Sequence, residues 1–408
     1  MAGTIPFLWC GVATSQTSPV INDQVQLGDV FATQELNVVE PEDAVVAATT
    51  ALGNTVSGFA DDGRSMDVQS RQRLDGDVRA STTLNAEAGM GWNTVINTTA
   101  QGNTAMVQAS GGGSVTGSFK QKAGDVMVRA GTGVFGEWAW TGNLNATAQT
   151  AVNSTALAVD DGGRIDAGVN QQSAATTEAA VGVIVRHVNE SSSLASTAVN
   201  NNFSASGMGG SGMDVRLNQS ASGDHTQATV FMSAGRVGTS QFPGITSAAS
   251  TAVANNAMAE NNGGPMNLAS RQSNTSYVRA QTVNNADSFG ASTTLSYGVG
   301  NSLTATEFGP ELVLDNNQFN DGGVASSAEA SGREGFDMSV QATAIGNAVT
   351  GTVCTECGGV IDVNNRQVNR SNVTASTRAT MGGSSRNTVG VATAIGNTAS
   401  FTATSPGD

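Results

Sequence analysis

Few residues in this chain have the types and spacing to do chemistry. Cys354 and Cys357 stand as C-T-E-C, and Cys10 is the third cysteine. A structural zinc site takes four ligands, so these thiols do not make one. In an exported protein they form a disulfide that pins a turn; free thiols are the alternative. The acidic pairs Asp61–Asp62 and Asp160–Asp161 could supply oxygen to calcium, but the G-G-x-G-x-D pattern of calcium-binding β-rolls is missing, which favours solvated turns. Asp67, Asp214 and Asp362 sit in the related phrases "MDVQSRQ", "MDVRLNQ" and "IDVNNRQ". Carboxylates cleave polysaccharides, yet an active site is a single constellation, whereas a residue repeated in phase serves the scaffold. His187 and His225 lie in no metal or catalytic motif, and neither a G-x-S-x-G elbow nor a phosphate loop is present. The residues thus predict no catalytic group, no cofactor and no metal.

What remains is the framework that repeats them. The 408 residues carry a net charge of −15, with 12% charged and 5% aromatic residues and 50 glycines. Only Lys120 and Lys122 are lysines, and no basic residue precedes Arg64. Duplex nucleic acid, which requires clustered Lys and Arg, is not an expected partner. A core of Leu and Phe is not expected either; the composition suggests a thin interior of small residues. Within 1–43, a short apolar run from Ile5 to Ala13 reads as the remnant of a truncated secretory signal, or as a capping strand or loose tail.

A phrase of small residues recurs about every 49 residues: "TALGNT" from Thr50, "TAQGNT" from Thr99, "TAVNST" from Thr150 and "TAVNNN" from Thr197. It continues as "TAVANN" from Thr251, "YGVGNS" from Tyr297, "TAIGNA" from Thr343 and "TAIGNT" from Thr393. Gly- and Asn-rich turns and then a Gln-ending strand follow each phrase in phase. Each unit reads as strand, turn, strand, strand. In "QATAIGN", simple alternation puts Ala342, Ala344 and Gly346 on one face and Thr343 and Ile345 on the other.

This pattern predicts an all-β fold: a repetitive β-solenoid over 44–408, built from seven to eight units after an N-terminal segment 1–43. The competing fold is a large antiparallel sandwich or barrel. The period fits one large coil, or two coils of about 24 residues. Stacking would align Asn54, Asn103, Asn153, Asn255, Asn301, Asn347 and Asn397 in one amide ladder. Gln72, Gln121, Gln171, Gln219, Gln272, Gln318 and Gln367 would form a second.

The in-phase "ATAIGN" phrases, the "DVxxRQ" strands and the scarcity of lysine resemble the holdfast anchor (attachment) protein D family of stalked alphaproteobacteria. The resemblance implies a secreted, non-enzymatic protein at the outer membrane of the cell pole. Such a protein works with other holdfast anchor proteins to fasten a polysaccharide adhesin. The residues alone point to the same class: an acidic rod whose Ser, Thr and Asn faces hydrogen-bond extracellular polysaccharide, and whose open ends invite self-association. The alternative is a secreted β-helical polysaccharide hydrolase or lyase.

Overall fold

The computed structural model describes residues 17–239, 243–354 and 359–404. The fold is all-β, 85% strand, with no helix among the described residues. The first three strands are β1 (Thr17–Gln26), β2 (Val30–Val38) and β3 (Ala44–Ala60), followed by β4 (Ser65–Leu74), β5 (Val78–Ala86) and β6 (Asn93–Ala109). Between these two sets the pairing is parallel: β1 with β4, β2 with β5 and β3 with β6. Among the described residues every strand pairing is parallel, as in these three, which removes the antiparallel sandwich from consideration.

The same three-part pattern continues through β7 (Val115–Ala123), β8 (Met127–Val159), β9 (Arg164–Ser173) and β10 (Thr176–Ala221). It then runs through β11 (His225–Val237), β12 (Ile245–Asn274), β13 (Tyr277–Glu307), β14 (Glu311–Asn320) and β15 (Val324–Gly332). The last strands are β16 (Glu334–Cys354), β17 (Val360–Asn369), β18 (Val373–Met381) and β19 (Asn387–Thr404). Several of these run unbroken round a corner. β10, for example, pairs with β11 near its start and with β12 further on. Because β13 also pairs with both β11 and β12, the four strands β10, β11, β13 and β12 close into a ring.

The pairing offset settles the period. Thr343 pairs with Thr393, Tyr297 with Thr343 and Thr251 with Tyr297. Each offset is a whole unit of about 49 residues, so one unit spans one layer of pairing and the half-unit alternative fails. The ladders also begin earlier than the boundary at residue 44. β1 and β2 lie within the segment 1–43, yet they pair in the same register as the later units, so the ladders among the described residues already include Thr17–Val38.

Alternation fails just before the ladder Asn in each repeated phrase, and the reason is a bend. Ala342 and Ala344 point inward and are fully buried, but so is Asn347, one residue out of phase. The register skips Gly346: Ile345 pairs with Ile395, and the next pair is Asn347 with Asn397. Gly346 is packed so closely that an added Cβ would lie 2.5 Å from the Gly396 carbonyl oxygen. Ile345 therefore joins a separate apolar stripe with Val253 and Val299, against which Val199 and Ile395 pack.

The bend divides the interior into two lobes. One is built mainly from Ala and Val, including Ala80, Ala130, Val183 and Ala342, as the composition suggests. The other is not: Phe119, Phe203, Leu157, Leu268, Leu312 and Met266 fill it. Large side chains make up a greater share of this lobe, although the first also buries Leu84, Ile96, Leu144 and Met232. Burying one such side chain as fully as Phe119 contributes about 2–3 kcal/mol.

Candidate functional site

Between the two lobes runs a wall of amides. Asn54 Nδ2 donates to Asn103 Oδ1 at 2.8 Å, Asn103 to Asn153, and Asn153 to Asn201. Asn201 passes the chain to Asn255, then Asn301, Asn347 and Asn397. Each Asn from Asn54 to Asn347 also donates across the interior to a backbone carbonyl, as Asn54 does to Arg73 O at 2.7 Å. The Gln side chains run the other way. Gln72 Nε2 donates to Gln24 Oε1 at 3.0 Å, Gln121 to Gln72, and Gln171 to Gln121. The chain continues through Gln219, Gln272 and Gln318 to Gln367. Each Gln also caps a carbonyl of the facing strand, as Gln72 does Thr104 O.

These bonds satisfy amides that are otherwise costly to bury. All the Asn and Gln residues anticipated from the sequence fall on these two chains. Asn201 and Gln24 belong to them as well and were missed. In "TAVNNN" three consecutive asparagines hide the register, and Gln24 precedes the first phrase.

The side chains with chemical potential do not converge. Asp67, Asp214 and Asp362 occupy equivalent register positions on the outside of the first strand of their units, where Asp214 lies 3.8 Å from Arg164. His225 Nε2 meets Glu178 Oε1 at 3.0 Å. Burial and the neighbouring Arg186 and Arg236 lower the pKa of His187. Among the described residues no three His, Cys, Asp or Glu side chains come together as metal ligands. Asp62 and Asp161 adopt positive φ, 54° and 50°, so these acidic pairs sit in left-handed turns. Cys354 is disulfide-bonded, whereas Cys357 lies outside the described residues.

Two features were not anticipated. Glu307 is fully buried beside Asn261, whose Nδ2 donates to Oε2 at 2.9 Å, and burial pushes its pKa up to about 7. The second is an aromatic corner. Trp138 and Trp92 are 71% and 51% exposed, and Trp92 packs edge-on against Trp140 with ring centroids 5.9 Å apart. Arg186 lies over the Trp138 ring at 5.6 Å. Gly142 makes room for this, since a Cβ there would lie 2.7 Å from the Trp92 ring. In a chain with four tryptophans, Trp92 and Trp138 stand about one period apart, a signal the sequence did carry.

The geometry is thus a repeated pairing pattern that carries exposed indoles at Trp92 and Trp138. No curated protein and no solved structure matches the chain. A family model described as holdfast attachment protein D matches residues 39–323, well over half of its length. The chain belongs to the holdfast attachment protein D family.

Proposed function

We propose that this protein is a β-solenoid that fastens polysaccharide holdfast material to the outer membrane at the cell pole, without enzymatic activity. Family membership gives the attachment role and the association with the cell surface. The solenoid reading is supported by parallel pairing that carries one unit onto the next from Thr17 to Thr404. In this reading the Asn and Gln chains are architectural, and residues 17–404 act as one repetitive domain. Secretion fits a disulfide at Cys354, for which Cys357 is the proposed partner.

The observation that carries the polysaccharide contact is the exposure of Trp92, packed on Trp140, and of Trp138, two residues before Trp140 and under Arg186. Exposed indole faces cost solvation in water, and their rigid, amphipathic rings suit the apolar faces of sugar rings, while the guanidinium supplies hydrogen bonds to hydroxyls. The rest of the outer surface, rich in Ser, Thr and Asn, adds hydrogen bonding over a large area. Other holdfast anchor proteins are the proposed companions at the membrane.

The test is attachment by cells that carry the Trp92→Ala/Trp138→Ala variant at normal surface level. Shedding of holdfast by these cells is the expected result; undiminished attachment overturns the assignment of the corner. Release of reducing or unsaturated ends from a glycan panel by the purified protein would instead favour the hydrolase or lyase.

A further inference from the structure

The two ends of the stack are complementary to each other, and we propose that the last unit of one copy docks on the first unit of a second copy, head to tail, into a filament. This uses the stacked-unit reading above but not the polysaccharide assignment. It stands on charge, amide polarity and apolar register.

Residues 17–60 hold six acidic side chains, Asp23, Asp29, Glu35, Glu40, Glu42 and Asp43, and no basic one. Residues 360–404 hold Arg366, Arg370, Arg378 and Arg386 against a single acid, Asp362. The opposite charges also occupy the same columns. Tracing the pairing from unit to unit, Asp23 leads through Arg71, Lys120, Asn170, Asn218, Arg271 and Asn317 to Arg366. Glu35 leads through Thr83, Gly133, Gly182, Phe231, Val283 and Glu329 to Arg378. Asp43 and Arg386 precede Ala44 and Asn387, which head another such column. A second copy that continued the pairing would therefore set Asp23 beside Arg366, Glu35 beside Arg378 and Asp43 beside Arg386.

The amide chains impose the same direction. In the wall, each Asn from Asn54 to Asn347 donates toward the C-terminal end and each Gln from Gln72 to Gln367 toward the N-terminal end, and the carbonyl that each NH2 also meets fixes which atom is nitrogen. The N-terminal end thus presents Asn54 Oδ1 as acceptor and, because Gln24 Nε2 also bonds Thr55 O, one remaining Gln24 N–H as donor. The C-terminal end presents the converse: the Asn397 NH2 and Gln367 Oε1. Continued stacking joins Asn397 to Asn54 and Gln24 to Gln367. The exposed edges of the apolar lobes match too, with Val373 falling over Val30, Ala375 over Ala32 and Ala379 over Leu36.

Three strands of 10, 9 and 17 residues in the first unit superpose on another unit only when traversed in the same sense, so two N-terminal ends do not fit each other. A head-to-tail contact of this kind does not close, and open strand edges favour it. Eight units at about 4.8 Å give an axial repeat of roughly 38 Å per copy.

The test is light scattering and negative-stain microscopy of the full chain and two charge-reversed variants, Arg366→Glu/Arg378→Glu and Asp23→Arg/Glu35→Arg. Wild type should form filaments with the roughly 38 Å repeat that dissociate as salt is raised. Each variant alone should assemble at least about tenfold more weakly with an unchanged circular dichroism spectrum, and an equimolar mixture should recover assembly. A monomeric wild type at low salt, variants that assemble like wild type, or a mixture no better than its components would each overturn the proposal. None of these outcomes bears on the tryptophan corner, which is read in cells that carry unaltered ends.

Discussion

Replacing Asn201 with Ala tests the amide wall where it is most enclosed. Asn201 is fully buried and joins three partners: it accepts from Asn153 at 2.8 Å and donates to Asn255 Oδ1 at 2.8 Å and to Ser220 O at 2.9 Å. Truncation leaves one N–H and two carbonyl oxygens without partners inside the protein. Each orphaned group costs about 1–3 kcal/mol, and water entering the vacated space recovers part of that, so the expected loss is about 3–6 kcal/mol. Asn397→Ala is the control. Its side chain is exposed and makes one bond, from Asn347, so its loss should stay below about 1 kcal/mol. Urea unfolding followed by circular dichroism, at concentrations below any self-assembly, measures both. Equal losses at the two positions would refute the view that the wall is a buried, continuous element rather than a set of independent contacts.

Other consequences are equally direct. The folded-state pKa of Glu307, about 7, lies above its ordinary value of 4.5, so the folded protein holds this proton more tightly than the unfolded chain. The stability it confers is complete below pH 4.5 and is lost as pH rises to 7, on the order of 3 kcal/mol in all; Glu307→Gln should flatten that part of the pH–stability profile. Phe119→Ala, which empties a fully buried position in the Leu- and Phe-rich lobe, should cost about 3–5 kcal/mol in the same urea assay. Reducing the disulfide at Cys354 should lower stability by about 2 kcal/mol, read as a fall in Tm that Cys354→Ser reproduces and that reductant does not deepen.

The sequence exposed the period because the same small residues meet at every layer. Thr343 and Thr393 share a phrase since they share an environment, and the Asn and Gln series follow from the same cause. What it hid were features set by three-dimensional closure. The bend at Gly346 shifts the inward phase by one residue, which no alternation rule anticipates, and the equivalent positions Val152 and Asn200 carry no glycine to mark it. The higher share of Phe, Leu and Met in the second lobe depends on which strands face it, which composition averages away. The split of charge between the ends was visible as the lack of basic residues before Arg64, but its meaning required the register that sets Asp23 in the column of Arg366. The attachment role came from family resemblance. The tryptophan corner required the fold, which sets Trp92 against Trp140 of the next unit and Arg186 of the unit after over Trp138.

Small-angle X-ray scattering of a one-unit deletion tests the stacking most directly. Removing residues 251–296 joins Ser250 to Tyr297, the register partner of Thr251, so every remaining ladder can re-form. Stacked units predict a folded protein with the same cross-sectional radius and a length shorter by about 4.8 Å. A changed cross-section, or a chain that unfolds, would contradict the account.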